Sequence, residues 1–562
     1  MEKRVFLAIL LSFVVLAGYQ AFFAPPPAPA PVVTLPPQAP SASPAPVEST
    51  TPAPPPPSAV ALVGDTVARD IVVETDVLHI VFSTSGATVK SWQLKRYLDY
   101  GEALDLVPHD VPDSFPRPFT MATNDPALSK TLATALFKPS ADKLTLGSAP
   151  GTLTFEYRDA SGLTASKRFY FQQEGKPYVV KVEAAVDVAG ASRPVTLLSG
   201  AALGLGYTPD GSRTVPARGI QFHDGSVQRL ATSALQKQSR YEGEMKFAGV
   251  EDPYFLNAAL PGTEKIAVEY SPISLPVKDD PKGRTRSFVA YAVSVPGPLS
   301  LQFFLGPKDF DILRSVDPRL ELVRAIDFGI FSWLVVPLLQ ALKWINQYTG
   351  NYGWSIVALT VFINLVIFPL RHRSMVSMRK MQAIQPEMKA IQDRFAKYKL
   401  TDPERQKMNT EMMALYKQKG VNPASGCVPM LLTLPVLFAF YAMLSAAIEL
   451  RGAPFMGWIH DLSRHDPYYV TPFLMAGTML WQQWMMPSTA DPIQKRMFML
   501  MPVIFLVSFL WAPSGLVIYW LVSNLLAIAQ QALTNRLIGA PVRPVPAPRR
   551  VASGSNSGGR KS

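Results

Sequence analysis

The chain has 562 residues, 48% of them hydrophobic and only 17% charged, and 54 Lys+Arg against 42 Asp+Glu give a formal net charge of +12. A mean hydropathy of +0.13 is high for a soluble protein and points to apolar membrane spans. The single cysteine, Cys427, excludes an internal disulfide framework and any Cys-cluster zinc site, and the length implies more than one domain.

Lys3 and Arg4 precede an apolar run from Val5 to Phe23, interrupted by Gln20. At about 1.5 Å per residue the run reaches roughly 28 Å, enough to cross a bilayer. Residues 1–24 therefore read as a transmembrane signal anchor whose basic start stays inside; a cleaved signal peptide is the competing reading. Residues 25–59 are almost wholly Pro, Ala, Ser, Thr and Val, and include Pro54-Pro55-Pro56-Pro57. Such a segment cannot bury a core and favours polyproline II, so it reads as a spacer, with a ligand for a proline-binding domain as the sharper alternative.

From residue 60 to 325 the pattern turns to strands. Leu78–Phe82, Leu153–Tyr157, Val179–Glu183, Ile266–Tyr270, Phe288–Val295 and Leu301–Leu305 are rich in β-branched and aromatic residues with partial alternation, and Gly and Pro punctuate them. Many strands and few helical windows predict a β-sandwich.

Residues 326–347 follow as an amphipathic helix with Phe331, Trp333, Leu338 and Trp344, interrupted by Pro337. It reads as lying in the outer interface, with a true span as the alternative. Five spans come next: Tyr352–Leu370, Cys427–Ile448, Val470–Met486, Met497–Ala512 and Gly515–Leu533. The last two are joined through Pro513-Ser514 as a tight hairpin. The segment after Leu370 carries twelve basic side chains against five acidic ones, and the tail from Arg536 carries only basic ones. The loop between Leu450 and Tyr469 balances Arg451 and Arg464 against Asp461 and Asp466. Basic loops mark the inside, so the chain reads as a polytopic α-helical membrane protein with six transmembrane helices and both termini inside.

The inner segment, residues 372–420, reads as a helical hairpin. Met378, Met381, Ile384, Met388, Ile391 and Phe395 share one face, and Pro386 should bend their helix. A second helix starts at Thr401-Asp402-Pro403-Glu404, where Thr401 can cap it. Met408, Met412 and Leu415 line one side of it, and Gly420 ends it. The pair either packs on itself or presents a basic, Met-rich surface to nascent chains, ribosomal RNA or anionic lipid. Among other polar residues, His460 and His465 each stand beside an Asp, yet no metal site is expected there. There is no phosphate-binding glycine loop, and no cofactor is expected.

These segments carry ordered motifs: Gly350-Asn351-Tyr352-Gly353-Trp354-Ser355, Phe368-Pro369-Leu370, Glu411-Met412-Met413-Ala414-Leu415-Tyr416-Lys417, Gly426-Cys427-Val428-Pro429, Glu449-Leu450-Arg451, Trp458-Ile459-His460-Asp461-Leu462, Asp466-Pro467-Tyr468-Tyr469 and Pro513-Ser514-Gly515-Leu516-Val517. Together they resemble the YidC-type membrane protein insertases of the YidC/Oxa family, closely from Asp327 to Leu537. The anchor, linker and β domain match more loosely the layout of Gram-negative members.

The resemblance implies a five-helix insertase core over residues 350–536 in the bacterial inner membrane, with the β domain in the periplasm and a basic cytoplasmic tail over 537–562. It implies no covalent chemistry. The core would enclose a hydrophilic groove, open to cytoplasm and lipid and sealed outside. Nascent membrane proteins would be the substrates, with lipids, the Sec translocon and the ribosome as partners. The family usually places an Arg five residues before the Phe-Pro-Leu end; here that residue is Asn364. Thr360 and Thr433 also align with the groove, Tyr519 and Trp520 with the substrate path or equally with core packing, and Arg371 and Arg373 would form the cytoplasmic mouth, roughly 10–14 Å from Asn364 along the helix. Asn364 either keeps the groove wet or bonds a neighbouring helix. A lipid scramblase or solute transporter using the same groove, or a β domain that is itself the active part, are the rival readings.

Overall fold

The computed structural model describes residues 61–99, 101–108, 111–112, 115–172, 175–201, 203, 217–262, 264–276, 285–396, 398, 402–420, 428–485 and 492–538. The expected anchor, the Pro-rich linker, Thr401, Cys427 and the tail beyond Ile538 lie outside these residues. The chain divides into two compact units. One comprises Met1–Ser355, Ala439–Pro467 and Trp511–Leu516, the other Ile356–Phe438, Tyr468–Leu510 and Val517–Ser562.

In the first unit every expected strand is present, within Leu78–Ser83, Gly151–Asp159, Val179–Val188, Lys265–Pro276, Thr285–Ser294 and Leu299–Pro307. They belong to two sheets, of fifteen and five strands. The smaller sheet is antiparallel except where Asp70–Thr75 runs parallel to Lys143–Gly147. Alternation sends Leu78, Ile80 and Phe82 inward. The Phe82 ring meets Phe155, Phe169 and Phe171 of the larger sheet at centroid distances of 5.8, 4.7 and 6.2 Å, so the inner faces of the two sheets pack through aromatic rings. Helices α1 (Pro126–Thr134), α2 (Thr232–Leu235) and α3 (Phe310–Val316) are short additions.

One inward position of this sandwich is a lysine. Lys167 is fully buried, and its Nζ donates to the carbonyls of Gly86, Ala87 and Phe119 at 3.1, 2.7 and 2.5 Å. All three acceptor residues hold left-handed backbone, with φ of 67°, 48° and 65°. The ammonium thus stabilises turns that Ala and Phe rarely adopt. Burial pushes it down to about 7. Glu251, also fully buried, accepts from Arg218 and Arg229 at 2.8 and 3.0 Å and pairs with Lys308 at 3.1 Å. Arg229 donates onward to the carbonyls of Arg324 and Ala325, fixing the segment that leaves the domain.

That segment leads to α4 (Ser332–Thr349). Pro337, expected to interrupt this helix, lies inside it; near the helix start it removes one hydrogen bond without ending the run. After the left-handed Gly350 comes α5 (Tyr352–Ala383). The loop over 447–467 is built by internal bonds: Phe455 N to Ile459 O and Leu462 N to Ala453 O, each 3.0 Å, and Trp458 Nε1 to Asp466 Oδ1, 2.9 Å. It also holds two helix starts. Asn351 Nδ2 donates to Phe455 O at 2.9 Å, and the amides of Ser514 and Gly515 donate to Arg464 O and Leu462 O at 2.7 and 3.0 Å. Gly353 is required here, because a Cβ would overlap the Phe455 ring.

The second unit is helical. Beyond α5 it contains α6 (Gln385–Arg394), α7 (Glu404–Gln418), α8 (Val428–Ala446), α9 (Val470–Met485), α10 (Pro492–Phe509) and α11 (Ser514–Ile538). Among the described residues, Gly329–Thr349, Tyr352–Met381 and Ser514–Arg536 are long and apolar enough to cross a membrane, and Pro435–Ala446 and Met499–Phe509 are shorter apolar stretches. The polarity of the unit is inverted. Phe362, Leu365, Val366, Phe473, Leu474, Val503 and Val507 are exposed, whereas Thr360, Asn524, Gln530, Gln531 and Thr534 are buried.

Helix α5 runs well past the expected end at Leu370, to Ala383. At Pro386 the chain does not bend one helix but breaks at Ile384 and restarts as α6, with the proline in its first turn. The start of α7 is one residue past Pro403, and the Asp402 carboxylate accepts from the Glu404 amide at 3.0 Å. Ile391, Phe395 and Leu415 form the core between α6 and α7, with Met388, Tyr398, Met408 and Met412 against it. Arg394–Glu411 and Lys419–Glu387 pairs, both 2.7 Å, close the hairpin.

Two outcomes follow from this packing. In the unfolded chain Lys167 keeps its proton up to its ordinary value of 10.5, while in the fold it releases it above about 7. Between those values the unfolded state binds more protons, so stability rises with pH by about 1.4 kcal/mol per unit. Lys167→Met removes that slope, measured as the difference between the two proteins in pH-dependent thermal unfolding of the purified full chain. Gly353→Val destabilises by about 1–3 kcal/mol through overlap with Phe455, whereas Gly477→Ala, where a Cβ meets nothing within 4 Å, does not lower Tm in the same melting assay.

Candidate functional site

A polar track runs through the interior of the helical unit. On α5, Thr360 Oγ1 donates to Ile356 O at 2.6 Å, and Asn364 Nδ2 donates to Thr360 O at 2.8 Å. This leaves Asn364 Oδ1 as an acceptor, and Arg371 Nη1 donates to it at 2.9 Å. The sequence distance suggested a neutral Asn364 well separated from a basic mouth, but the arginine side chain closes that gap. It reaches back toward the helix centre rather than onward to the helix end. Tyr519 on α11 lies within electrostatic range of Arg371 and hydrogen-bonds Ser523.

The rest of the track belongs to α11. Asn524 Nδ2 donates to Thr478 Oγ1 at 3.3 Å. Gln530 Nε2 donates to Phe368 O at 3.3 Å and Gln531 Nε2 to Met485 O at 2.8 Å. Thr534 meets the His372 ring at 3.4 Å, and Arg379 donates to Asn535. In an apolar setting each such bond satisfies a backbone carbonyl or side chain that has no water to turn to, so α11 is fastened to α5 and α9 by its polar face. Sequence reasoning missed Gln530, Gln531 and Thr534. The available signal was polar residues recurring at helical spacing inside an apolar run, which in a membrane helix is itself a reason to look.

Of the residues singled out from sequence, the structure brings Thr360, Asn364, Arg371 and Tyr519 into one neighbourhood. Trp520 instead packs on Phe505 and Phe509, with centroids 5.1 and 5.2 Å apart, as an α10–α11 contact. Arg373 is exposed. Met408 and Met412 pack, partly buried, against the hairpin core, and Met413 is exposed. Met381 lies near the end of α5, partly buried. Thr433 falls on α8 and Met378 on α5, but their side chains lie outside the described residues.

The 447–467 loop, in the first unit, carries polar groups of its own. Burial pushes the Glu449 carboxyl above the usual carboxylate range, with the Lys343 ammonium 3.1 Å away pulling it back. Asp461 accepts from Ser463 N and Oγ, and His460 and His465 stand apart from any cluster: among the described residues no group of three or more His, Cys, Asp or Glu could hold a metal ion.

Two family models match the chain. The 60Kd inner membrane protein model covers residues 344–540, and the YidC periplasmic domain model covers residues 70–341. The membrane protein insertase YidC of Geobacter sulfurreducens is 37% identical over 555 residues, spanning 96% of this chain and 99% of that protein. Its counterpart from Geotalea daltonii is 35% identical over 562 residues, spanning 96% and 100%. A solved active YidC insertase, with its first transmembrane domain resolved, aligns over 84% of this chain and 95% of its own at 17% identity, with a TM-score of 0.34. By the extent of these matches the chain belongs to the YidC family of membrane protein insertases, inner-membrane proteins with a periplasmic domain.

Proposed function

We propose that this insertase works through a hydrated groove centred on Asn364 and Arg371, with Thr360, Thr433 and Tyr519 along its wall. The observation that carries this reading is the direction of the Arg371 side chain. An arginine at the end of an apolar helix normally sends its guanidinium outward to water. Here it turns back about 10 Å along α5 to Asn364. A charge held at that depth costs about 2.5–3.5 kcal/mol in hydrocarbon, and water in a groove removes most of that cost. A substrate's short polar segment would enter this wet region while its apolar segment slides into lipid, so the path through hydrocarbon shortens. The loop over 447–467, bonded to the starts of α5 and α11, would seal the groove on the outer side.

The same reading has six spans, five of them forming the core, and both termini in the cytoplasm. It lays α4 in the outer interface: its start follows the β domain, its end leads into α5 beside the loop that bonds Asn351, and a helix that begins and ends on one side does not span. The basic hairpin would face the ribosome or anionic lipid, and the Sec translocon would be a partner. Rings of Trp333, Trp344 and Tyr348, all exposed, suit the headgroup region.

Asn364→Leu and Arg371→Ala each lower insertion of a small single-span substrate by about tenfold in proteoliposomes, and the double variant loses little more, because both act through one bond. Accumulation of all three proteins stays normal. Insertion by the double variant at the wild-type rate would eliminate the groove.

A further inference from the structure

The periplasmic β domain has no role in the groove reading, yet it touches the outer loop at two built contacts. The first is a cation–π stack. The Arg451 guanidinium lies 5.7 Å from the Tyr254 ring centroid and 5.5 Å from that of Phe255. The rings sit on a rigid turn: Asp252 Oδ1 accepts from the amides of Tyr254 and Phe255, both at 2.7 Å, and Tyr97 packs edge-on to Phe255 at 5.9 Å. Ser463, at the far end of the same loop, hydrogen-bonds Tyr254. The second contact is ionic. Lys343 on α4 pairs with Asp311 at 2.5 Å and Asp309 at 3.4 Å, the latter being the N-cap of α3, and with Glu449 of the loop at 3.1 Å. One ammonium therefore joins the β domain, α4 and the loop.

We propose that Arg451 and Lys343 are positioning residues through which the β domain holds the outer loop closed. The argument is mechanical. The loop is the structure that binds the starts of α5 and α11 together through Phe455 O, Arg464 O and Leu462 O. Residues Ile448, Leu450, Ile459 and Leu462 are buried beneath it, but its backbone contains left-handed Gly452 and Gly457 and no regular element beyond the 3₁₀ turn Ile448–Leu450. Its internal bonds set the loop's fold, but a loop without regular elements opens less often when its ends are also fixed from outside. Arg451 fixes the first end by its cation–π contacts with Tyr254 and Phe255 of the domain, and Lys343 fixes the same end by charge. The Glu251 cluster, through Arg229 and the carbonyls of Arg324 and Ala325, keeps the domain's exit segment, and hence α4, in register with the turn that offers Tyr254 and Phe255. The β domain would thus act as a splint for the seal, which rests on the reading of the loop as the groove's outer closure.

The test uses the full-length protein in proteoliposomes, as wild type, Arg451→Ala, Arg451→Lys, Lys343→Met and the Arg451→Ala/Lys343→Met double variant. Hydrogen exchange of the 447–467 peptides, leak of an encapsulated dye and insertion of a small single-span substrate are read in parallel. Arg451→Ala and Lys343→Met each speed exchange across 447–467 by about tenfold, while the strand Leu163–Phe171 keeps its protection. Both raise dye leak and lower insertion. Arg451→Lys restores the charge without the planar stack and recovers only part of each effect. Unchanged exchange of 447–467 in the double variant overturns the proposal, and so does faster exchange with wild-type leak and insertion. Should Arg451→Ala lose protection in Leu163–Phe171 as well, Tyr254→Leu removes the stack from the other side and is judged by the same criteria. Wild-type vesicles that fail to insert the substrate count against the groove reading and leave the exchange result to stand on its own.

Discussion

A polar group inside a bilayer has no water to fall back on, and the helical unit is arranged around that constraint. Its lipid-facing positions are Phe, Leu and Val, and its amides and hydroxyls point inward. Gln530 and Gln531 each donate to a backbone carbonyl, Phe368 in the middle of α5 and Met485 at the last residue of α9. These bonds do structural work, because both partners are neutral and each satisfies the other. The Arg371–Asn364 contact differs in kind. A guanidinium has five donors, Asn364 offers a single oxygen already placed by the bond its amide makes to Thr360 O, and no carboxylate faces the pair among its described contacts. A charge so incompletely matched by protein calls for solvent, which separates the candidate groove from the rest of the polar track.

Lys167 in the β domain meets the same difficulty in a different medium. It too is a cation without a carboxylate, but its three protons find three carbonyls, so no solvent is needed and the site is closed. The desolvation that lowers its affinity for a proton is offset only by those carbonyl dipoles. The contrast shows how burial alone fails to distinguish function from structure; what distinguishes them is whether the hydrogen-bonding capacity is filled.

The strands were legible because each half-buried strand alternates, as Leu78, Ile80 and Phe82 do, and the helices because their apolar runs are long. Local patterns also located the α6–α7 hairpin and its apolar face. They failed where the outcome depends on a side chain's reach or on residues far apart in the chain. Nothing in the spacing of Asn364 and Arg371 says that the longer side chain folds back. Pro386 was read as a kink, but a proline also suits the first turn of a new helix, and the chain takes that option after Ile384. For Met408 and Met412 the pattern allowed both a self-packed pair and an adaptable surface, and both side chains pack against the hairpin core once α6 lies opposite. Trp520 allowed both a substrate path and core packing, and its ring packs in the α10–α11 contact. The Glu251 cluster and the Arg451 stack join segments tens to nearly two hundred residues apart, and no local rule brings them together.

The 447–467 loop and the α6–α7 hairpin use charge in opposite ways. Around the outer loop, ionic groups are matched internally: Lys343 with three carboxylates, Arg464 with Asp461 at 3.3 Å, Arg451 with two rings. Matched charges have little field left to act at a distance, and they make a stiff closure. On the inner hairpin, Arg394, Lys407 and Lys419 find carboxylates, but twelve basic residues face five acidic ones, and Arg373, Lys380, Lys389 and Lys417 remain exposed. Such a surplus marks a segment that stays on the cytoplasmic side by the positive-inside rule, and it makes an attractive field for anionic lipid or acidic segments. Under the proposed reading, the same asymmetry would serve both topology and activity: paired charge in the loop proposed as the seal, surplus basic charge on the hairpin proposed to meet substrates.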